Sequence, residues 1–352
     1  MKSKHSDKRL ARLNAAMKDR RLDSMLVTGD KNVCYLSGFE GSDAALIISA
    51  KRRYFITDSR FIEEAKKNIK GFEILCVRES TYKTISEIIK GERFKKVGFE
   101  SMGLPYEVAV RLKGGIGEAG LVGVKNLIEN LRAIKDSEEI DLIKKSVVLV
   151  RKVFSGIEAS LKPGVSEDWI KKTVEIEFIK NGASAAFEPI VASGSNSSKP
   201  HAKATGKLLE NNDLVMVDIG SRLNNYNSDM TRTIFLGHVK QKLLKMYSIV
   251  KKAQDLALRA IKPGVKISKI DRVARGYIAE KGFGKYFGHS LGHGVGMDVH
   301  ELPTISGSSD GTLSEGMIFT IEPAIYIPGF GGIRIEDMAL VTKNGCEILT
   351  VN

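Results

Sequence analysis

Four carboxylates in the C-terminal half stand inside otherwise apolar runs: Asp218 in LVMVDIGSR, Asp229 in YNSDMTRTIFL, Glu322 in IFTIEPAIYI and Glu336 in GIRIEDMALV. They fall into two pairs, each flanking a turn, Asn224 and Asn225 in the first case and PGFGG in the second, whose residue types tolerate tight-turn geometry. Folding each segment back about its turn brings Asp218 nearly opposite Asp229 and Glu322 opposite Glu336. Cross-strand neighbours on one face have Cβ atoms about 5 Å apart, close enough for two carboxylates to share ions. Burying a carboxylate as an ion costs several kcal/mol even after relaxation, so something must compensate each charge. Separate salt bridges are one answer, and Arg334 lies two residues from Glu336 on the same strand face. Four such acids in two matched hairpins favour metal ions instead.

A fifth ligand is expected from HSLGHGVGMDVHE, where Gly292, Gly294 and Gly296 work against a regular helix and let the backbone come close to a site. His293, between two glycines, is the candidate. His289, His293 and His300 are three of the chain's 6 histidines, and their clustering points to chemistry. Four carboxylates neutralise two divalent cations, and an oxygen-rich shell with one imidazole suits Mn²⁺ or Co²⁺, with Zn²⁺ or Fe²⁺ as alternatives. Two such ions about 3.5 to 4 Å apart bind a bridging water, lower its pKa and polarise a carbonyl, which is machinery for hydrolysis.

The elements that must position these groups form an internal duplication. Lys162, Pro163, Gly164 and Val165 recur as Lys262, Pro263, Gly264 and Val265, and each copy runs through a helical pattern to a glycine, Gly182 or Gly282, suited to a left-handed cap. Each copy then reaches one carboxylate hairpin, so a site built from both halves lies on their pseudo-twofold axis. Upstream, SMLVTG, AALIIS, YFITD, FEILCV and KKVGFES alternate with helical stretches near 59 to 68 and 81 to 90, as in an α/β domain with a mixed sheet. After the glycine-rich stretch RLKGGIGEAGLVG, the run from LIENLRAIKDSEE to GIEASL reads as one long amphipathic helix. The expected domains are residues 1–126 and 127–352.

Length and composition set the frame. A chain of 352 residues exceeds what one core usually supports, and 42% hydrophobic with 28% charged residues is an ordinary globular balance. The chain has no apolar run long enough for a membrane span and MKSKHSDKRL has no apolar signal core, so no membrane partner and a cytoplasmic location are expected. Cys34, Cys76 and Cys346 lie far apart without a CxxC, against a disulfide framework or thiolate metal site. The formal charge of +13 is spread over scattered lysines without an aromatic-interleaved stripe, which reads as a solvated surface and not a nucleic-acid interface.

The stretch His289 to Glu301, the motif residues Asp218, Gly220, Tyr226, Ser228, Asp229, Thr231, Arg232 and Thr233, and the segments EPAIY and GIRIED resemble the creatinase and aminopeptidase P family of pita-bread metallopeptidases. Ala324 stands where that family more usually has glycine. NVCYLSGFEGSDAALII and FITDSRFIEEA resemble its small N-terminal domain, which methionine aminopeptidases of the same catalytic fold typically lack. The implied architecture is a creatinase-like α/β N-terminal domain followed by an α+β pita-bread catalytic domain with an internal pseudo-twofold duplication. The resemblance also implies the site roles. His201 contacts the substrate carbonyl and developing oxyanion, His300 shuttles protons or orients substrate, and Glu322 transfers a proton as well as ligating metal. His289, Tyr326 and Arg334 form the proline pocket, and a homodimer is expected.

The implied reaction is attack of a metal-bridging hydroxide on the Xaa-Pro carbonyl. Proline supplies no amide hydrogen and fixes φ, so a dedicated pocket replaces the strand pairing of an ordinary protease groove. An aminopeptidase acting on longer Xaa-Pro peptides and an Xaa-Pro dipeptidase, or prolidase, differ in whether a cation receives the substrate's free carboxylate. Some prolidases carry an arginine for this between the last signature histidine and the first glutamate ligand. Here Thr304 occupies that place and Glu301 to Ile321 contains no arginine or lysine, which favours the aminopeptidase. A non-catalytic binding module of the same fold is a third reading, opposed by retention of all five ligands.

Overall fold

The computed structural model describes residues 2–351, in two compact units, Met1–Arg132 and Ala133–Asn352. The first holds a six-stranded sheet in the spatial order Glu73–Cys76, Arg53–Thr57, Ala44–Ser49, Ser24–Val27, Lys96–Glu100 and Gly120–Val124. It is mixed: Ala44–Ser49 pairs antiparallel with both neighbours, and the remaining pairs are parallel. Ala44–Ser49 is buried along its whole length, as a central strand covered on both faces must be. Gly120–Val124 emerges from the glycine-rich stretch, whose GLVGV offers too few β-branched or aromatic residues to announce a strand.

The division between the units falls at Arg132, beyond the expected 126, because the helix Leu127–Ala133 is tied into the first unit. Asn32 Nδ2 donates to Glu129 Oε1 at 2.7 Å, Arg132 Nη1 donates to Asn32 Oδ1 at 2.9 Å, and the Leu131 carbonyl accepts Arg12 Nη2 at 2.9 Å. The single long helix expected here is in fact two, Leu127–Ala133 and Ser137–Glu158. Ile134 leaves helical geometry to bridge Met317, and Asp136 starts the second helix with a capping box. Its Oδ1 accepts the Glu139 amide at 3.0 Å while Glu139 Oε2 accepts the Asp136 amide at 3.0 Å.

The second unit repeats one plan. Ser137–Glu158 is followed by Glu167–Lys180, and Gln241–Ala260 by Ile267–Glu280. In each KPGV link the glycine takes a positive φ, +89° at Gly164 and +82° at Gly264. Its amide donates to a leucine carbonyl, Leu209 at 2.9 Å and Leu313 at 2.8 Å. Each second helix ends at a left-handed glycine, Gly182 or Gly282. On Gln241–Ala260, Met246, Val250, Ala253 and Ala257 recur at helical spacing and are fully buried against Phe319, Ile321, Ile325 and Ile333 of the second hairpin. Burying each large apolar side chain there contributes roughly 1.5 to 3 kcal/mol, which fixes the hairpin on a rigid support. Among the described residues, no helix is long and apolar enough to cross a membrane.

Candidate metal centre

In the first hairpin Asp213–Ile219 pairs antiparallel with Met230–Leu236, placing Asp218 opposite Thr231 and Ile219 opposite Met230. Asp229 lies one residue before this ladder and is therefore diagonal to Asp218. In the second, Ile321 faces Asp337 and Ala324 faces Arg334, so Glu322 and Glu336 stand across from each other in the gap between two paired segments. Pro323, which has no amide hydrogen, interrupts the ladder there. The Glu322 amide turns instead to the Leu291 carbonyl, at 2.8 Å. Gln254, buried on Gln241–Ala260, stitches both legs of this hairpin beside the acids, donating to the Ile321 and Ile335 carbonyls at 3.3 Å.

These hairpins converge on His293, in the strand Gly292–Gly294. Ligand atoms of Asp229, His293 and Glu336 all lie within 4.8 Å of one another. His293 Nε2 is 3.7 Å from Asp229 Oδ2 and 3.2 Å from Glu322 Oε1. Its other ring nitrogen faces two carbonyls, Val299 at 3.1 Å and Gly294 at 3.2 Å. Carbonyls accept only, so one ring proton is assigned to Nδ1, and Nε2 is the nitrogen that faces the carboxylates: without a cation it carries a proton toward Glu322, and to a bound cation it would offer its lone pair. Asp218 ion-pairs through Oδ2 with Arg334, while its Oδ1 is buried with no hydrogen-bond partner among the described residues.

The electrostatics follow from this crowding. Burial first, then the charges of Glu336, Asp218 and Glu322, push the Asp229 carboxyl well above its usual range. Glu336 is likewise pushed well up, by burial and then by Glu322 and Asp218. Burial raises Asp218 as well, against the opposing pull of Arg334. Glu322 goes the other way: burial works against its charge, but the hydrogen bond and charge of His293 outweigh it and lower its pKa. His293 is raised by the same contact, again against burial. Arg334 is the arginine these acids share, and one guanidinium cannot balance three buried carboxylates and the partly buried Glu322. An orphaned buried oxygen, two carboxyls whose pKa is raised by burial and neighbouring charge, and a mainly oxygen donor set fit divalent cations, which would compete with protons there.

Groups around the acids fix their orientation. Thr231 Oγ1 donates to Glu336 Oε2 at 2.6 Å and accepts Arg334 Nε at 3.1 Å. Arg334 Nη1 reaches the Tyr326 hydroxyl at 2.6 Å and the Pro200 carbonyl at 3.1 Å. Burial, opposed by Arg334, pushes the Tyr326 phenol up to about 12, so it stays protonated at neutral pH. The His289 ring lies 5.7 Å from that of Tyr326 and 5.2 Å, edge-on, from Phe287. Its Nε2 is buried without a hydrogen-bond partner among the described residues, and burial lowers its pKa, which favours the neutral imidazole. His289, Tyr326 and Arg334 thus come together beside the acids.

His300 stacks with its ring centre 4.0 Å from that of His293 and has its pKa lowered by burial of part of the ring, then by the charge of His293. His201 is exposed, follows the Pro200 carbonyl that receives Arg334, and lies close enough for its charge to act on His300. Thr304 is exposed and sits directly across the strand pair from His293.

The sequence reading missed the supports behind these residues. Fully buried Asp271 on Ile267–Glu280 binds Arg275 through two bonds, at 2.7 and 2.8 Å, and accepts the Leu291 amide at 3.2 Å. Arg275 donates to the carbonyls of Phe287, at 2.9 Å, and His289, at 2.7 Å. The four-residue spacing of this acid and arginine was legible as a helical ion pair, but its hold on the His289 loop was not.

Comparison with known proteins places this geometry. Residues 141–343 match the model of metallopeptidase family M24, and residues 9–134 match that of the creatinase/prolidase N-terminal domain. An uncharacterized peptidase of Bacillus subtilis is 42% identical over 330 residues, covering 94% of each chain. The solved structure of an Xaa-Pro dipeptidase from Bacillus anthracis superimposes with a TM-score of 0.95 at 38% identity, over 99% of this chain and 98% of that one. An X-Pro aminopeptidase from Thermotoga maritima gives a TM-score of 0.88 at 34% identity, over 96% and 98%. The duplicated hairpins with their converging acids are therefore a pita-bread catalytic unit, and the chain belongs to metallopeptidase family M24, in its creatinase and prolidase branch.

Proposed function

We propose that this metallopeptidase hydrolyses the Xaa-Pro bond at the N-terminus of peptides, using two divalent ions, Mn²⁺ foremost, held by Asp218, Asp229, His293, Glu322 and Glu336. The observation that carries the dinuclear reading is the excess of four converging carboxylates, three of them buried and Glu322 partly so, over one arginine. Held by these five residues, the cations would supply Lewis acidity toward the substrate carbonyl and a nucleophilic water at neutral pH. Glu322, whose carboxylate stays ionised beside His293, accepts the proton released by that water and passes it toward the leaving proline nitrogen. His201 donates to the carbonyl oxygen as it becomes an oxyanion, and His300 relays a proton between the two. The tilted rings of His289 and Tyr326, with Arg334 at their polar edge, receive the prolyl ring.

Thr304 supports the aminopeptidase form of this reading. Its exposed side chain lies across from His293, at the position where some prolidases carry an arginine, and brings no cation for a dipeptide's free carboxylate. The name of the Bacillus anthracis structure, at a TM-score of 0.95, favours the prolidase form. One assay separates them: turnover of an Xaa-Pro dipeptide against an Xaa-Pro-Xaa tripeptide by Mn²⁺-loaded protein. Preference for the tripeptide is expected, and turnover of the dipeptide alone would reverse the assignment. Fewer than one bound divalent ion per chain after Mn²⁺ loading and removal of excess would sink the dinuclear site.

A further inference from the structure

We infer that Glu167, far from the acids in sequence and absent from the motifs, is a positioning residue for His201. It opens the helix Glu167–Lys180, directly after the first KPGV turn, and its side chain is fully buried. Oε1 accepts the Ser193 amide at 2.7 Å and the Ser193 hydroxyl at 2.8 Å. Oε2 accepts the Thr205 amide at 3.1 Å, the Thr205 hydroxyl at 2.8 Å and Asn196 Nδ2 at 3.0 Å. Such a donor set saturates an acceptor-only carboxylate. Ser193 and Thr205 are the two ends of the segment whose crest carries Pro200 and His201, so one carboxylate closes that loop at its base.

The crest is held separately. The Ser197 hydroxyl accepts the Gly332 amide at 2.8 Å and the Pro200 carbonyl accepts Arg334 at 3.1 Å. Closing the base removes the loop's freedom to swing about those contacts, and His201, exposed and with no hydrogen bond of its own described, depends on the loop for its placement. The other half uses the same device, with Asp271 and Arg275 on the helix after the second KPGV turn gripping the loop of His289. A buried acid spent only on fold stability would not need all its bonds in one loop that reaches the catalytic groups.

This inference rests on the proposed role of His201, and the test separates the two. In Glu167→Gln the amide cannot accept on its nitrogen side, so the base loosens, although Lys207 Nζ still donates to the Ser193 carbonyl at 2.9 Å and the Asp168 amide to the Thr205 carbonyl at 2.9 Å. Hydrogen exchange followed by mass spectrometry should show amides of residues 194–204 exchanging roughly 10-fold faster or more in the metal-loaded protein, with the helix Gln241–Ala260 unchanged. kcat should fall roughly 10-fold or more with bound metal retained. In a double-mutant cycle, the same substitution in a His201→Ala background should change kcat by less than about 2-fold. Thr205→Val, which deletes one hydroxyl donor, should act in the same direction more weakly and provides the milder variant. Additive losses in the cycle, unchanged loop exchange, or loss of metal in Glu167→Gln overturn the inference alone. Full activity of His201→Ala overturns the role of His201 and this inference with it.

Discussion

Replacing Asp229 by Asn should stabilise the metal-free protein while abolishing its ability to take up metal. Asp229 is 4% exposed, and burial followed by the charges of Glu336, Asp218 and Glu322 raises its pKa well above the ordinary carboxylate value. Between about pH 4 and that raised value the folded state keeps a proton that the unfolded chain has released, so the native state binds more protons and stability falls as pH rises. Each retained proton contributes a slope of about −1.4 kcal/mol per pH unit. Asp229 and Glu336, both raised well above their usual range, act in this same direction. Asparagine keeps the shape without the proton, so the contribution of Asp229 to that slope is lost and the variant's slope is shallower. Urea unfolding of chelator-treated protein from pH 5 to 7 should therefore show the variant gaining on the wild type with each step in pH. Added Mn²⁺ should reverse the order, since only the wild type gains the stabilisation of a bound ligand, about 2.7 kcal/mol at one hundred times the dissociation constant. Parallel pH slopes in the two metal-free proteins, or a variant that falls further behind as pH rises, would refute the account of the site as an uncompensated carboxylate cluster.

Three further outcomes follow from the same geometry. His300→Ala should retain metal by elemental analysis yet lower kcat by roughly 10² or more, the outcome expected from the proposed proton-transfer role of a ring packed against the proposed ligand His293. Arg275→Met frees the Phe287 and His289 carbonyls and leaves Asp271 buried without its partner, so KM for proline substrates should rise roughly 10-fold with metal content unchanged. Lys135→Met breaks an ion pair with Glu301 whose side chains are 0% and 6% exposed and 2.9 Å apart, and should lower unfolding stability by about 3 to 5 kcal/mol in a denaturant titration.

The carboxylate hairpins were legible because strand alternation and a turn midpoint are local properties, and pairing then follows from counting residues. The second pair, Glu322 and Glu336, lies across the hairpin as counting requires, whereas Asp218 and Asp229 sit one step diagonal, a detail set by the ladder ending at Met230. The duplicated KPGV turns were equally plain, since glycine at positive φ after proline is a backbone signal. The run of residues after 127 misled because amphipathic periodicity persists across Ile134 and Asp136, although the chain there leaves helical geometry to bridge Met317.

By itself, then, the sequence singled out the acids and histidines proposed for the chemistry and the two similar halves that carry the carboxylate hairpins. Only the tertiary structure decided how they are held: Arg334 spanning Asp218, Thr231, Tyr326 and Pro200, Asp271 with Arg275 on the His289 loop, and Glu167 closing the loop of His201. Those contacts join residues remote along the chain. Periodicity and spacing carry no record of which distant carbonyl a buried charge will find; that choice is made by packing and by the cost of leaving any of these groups unpaired.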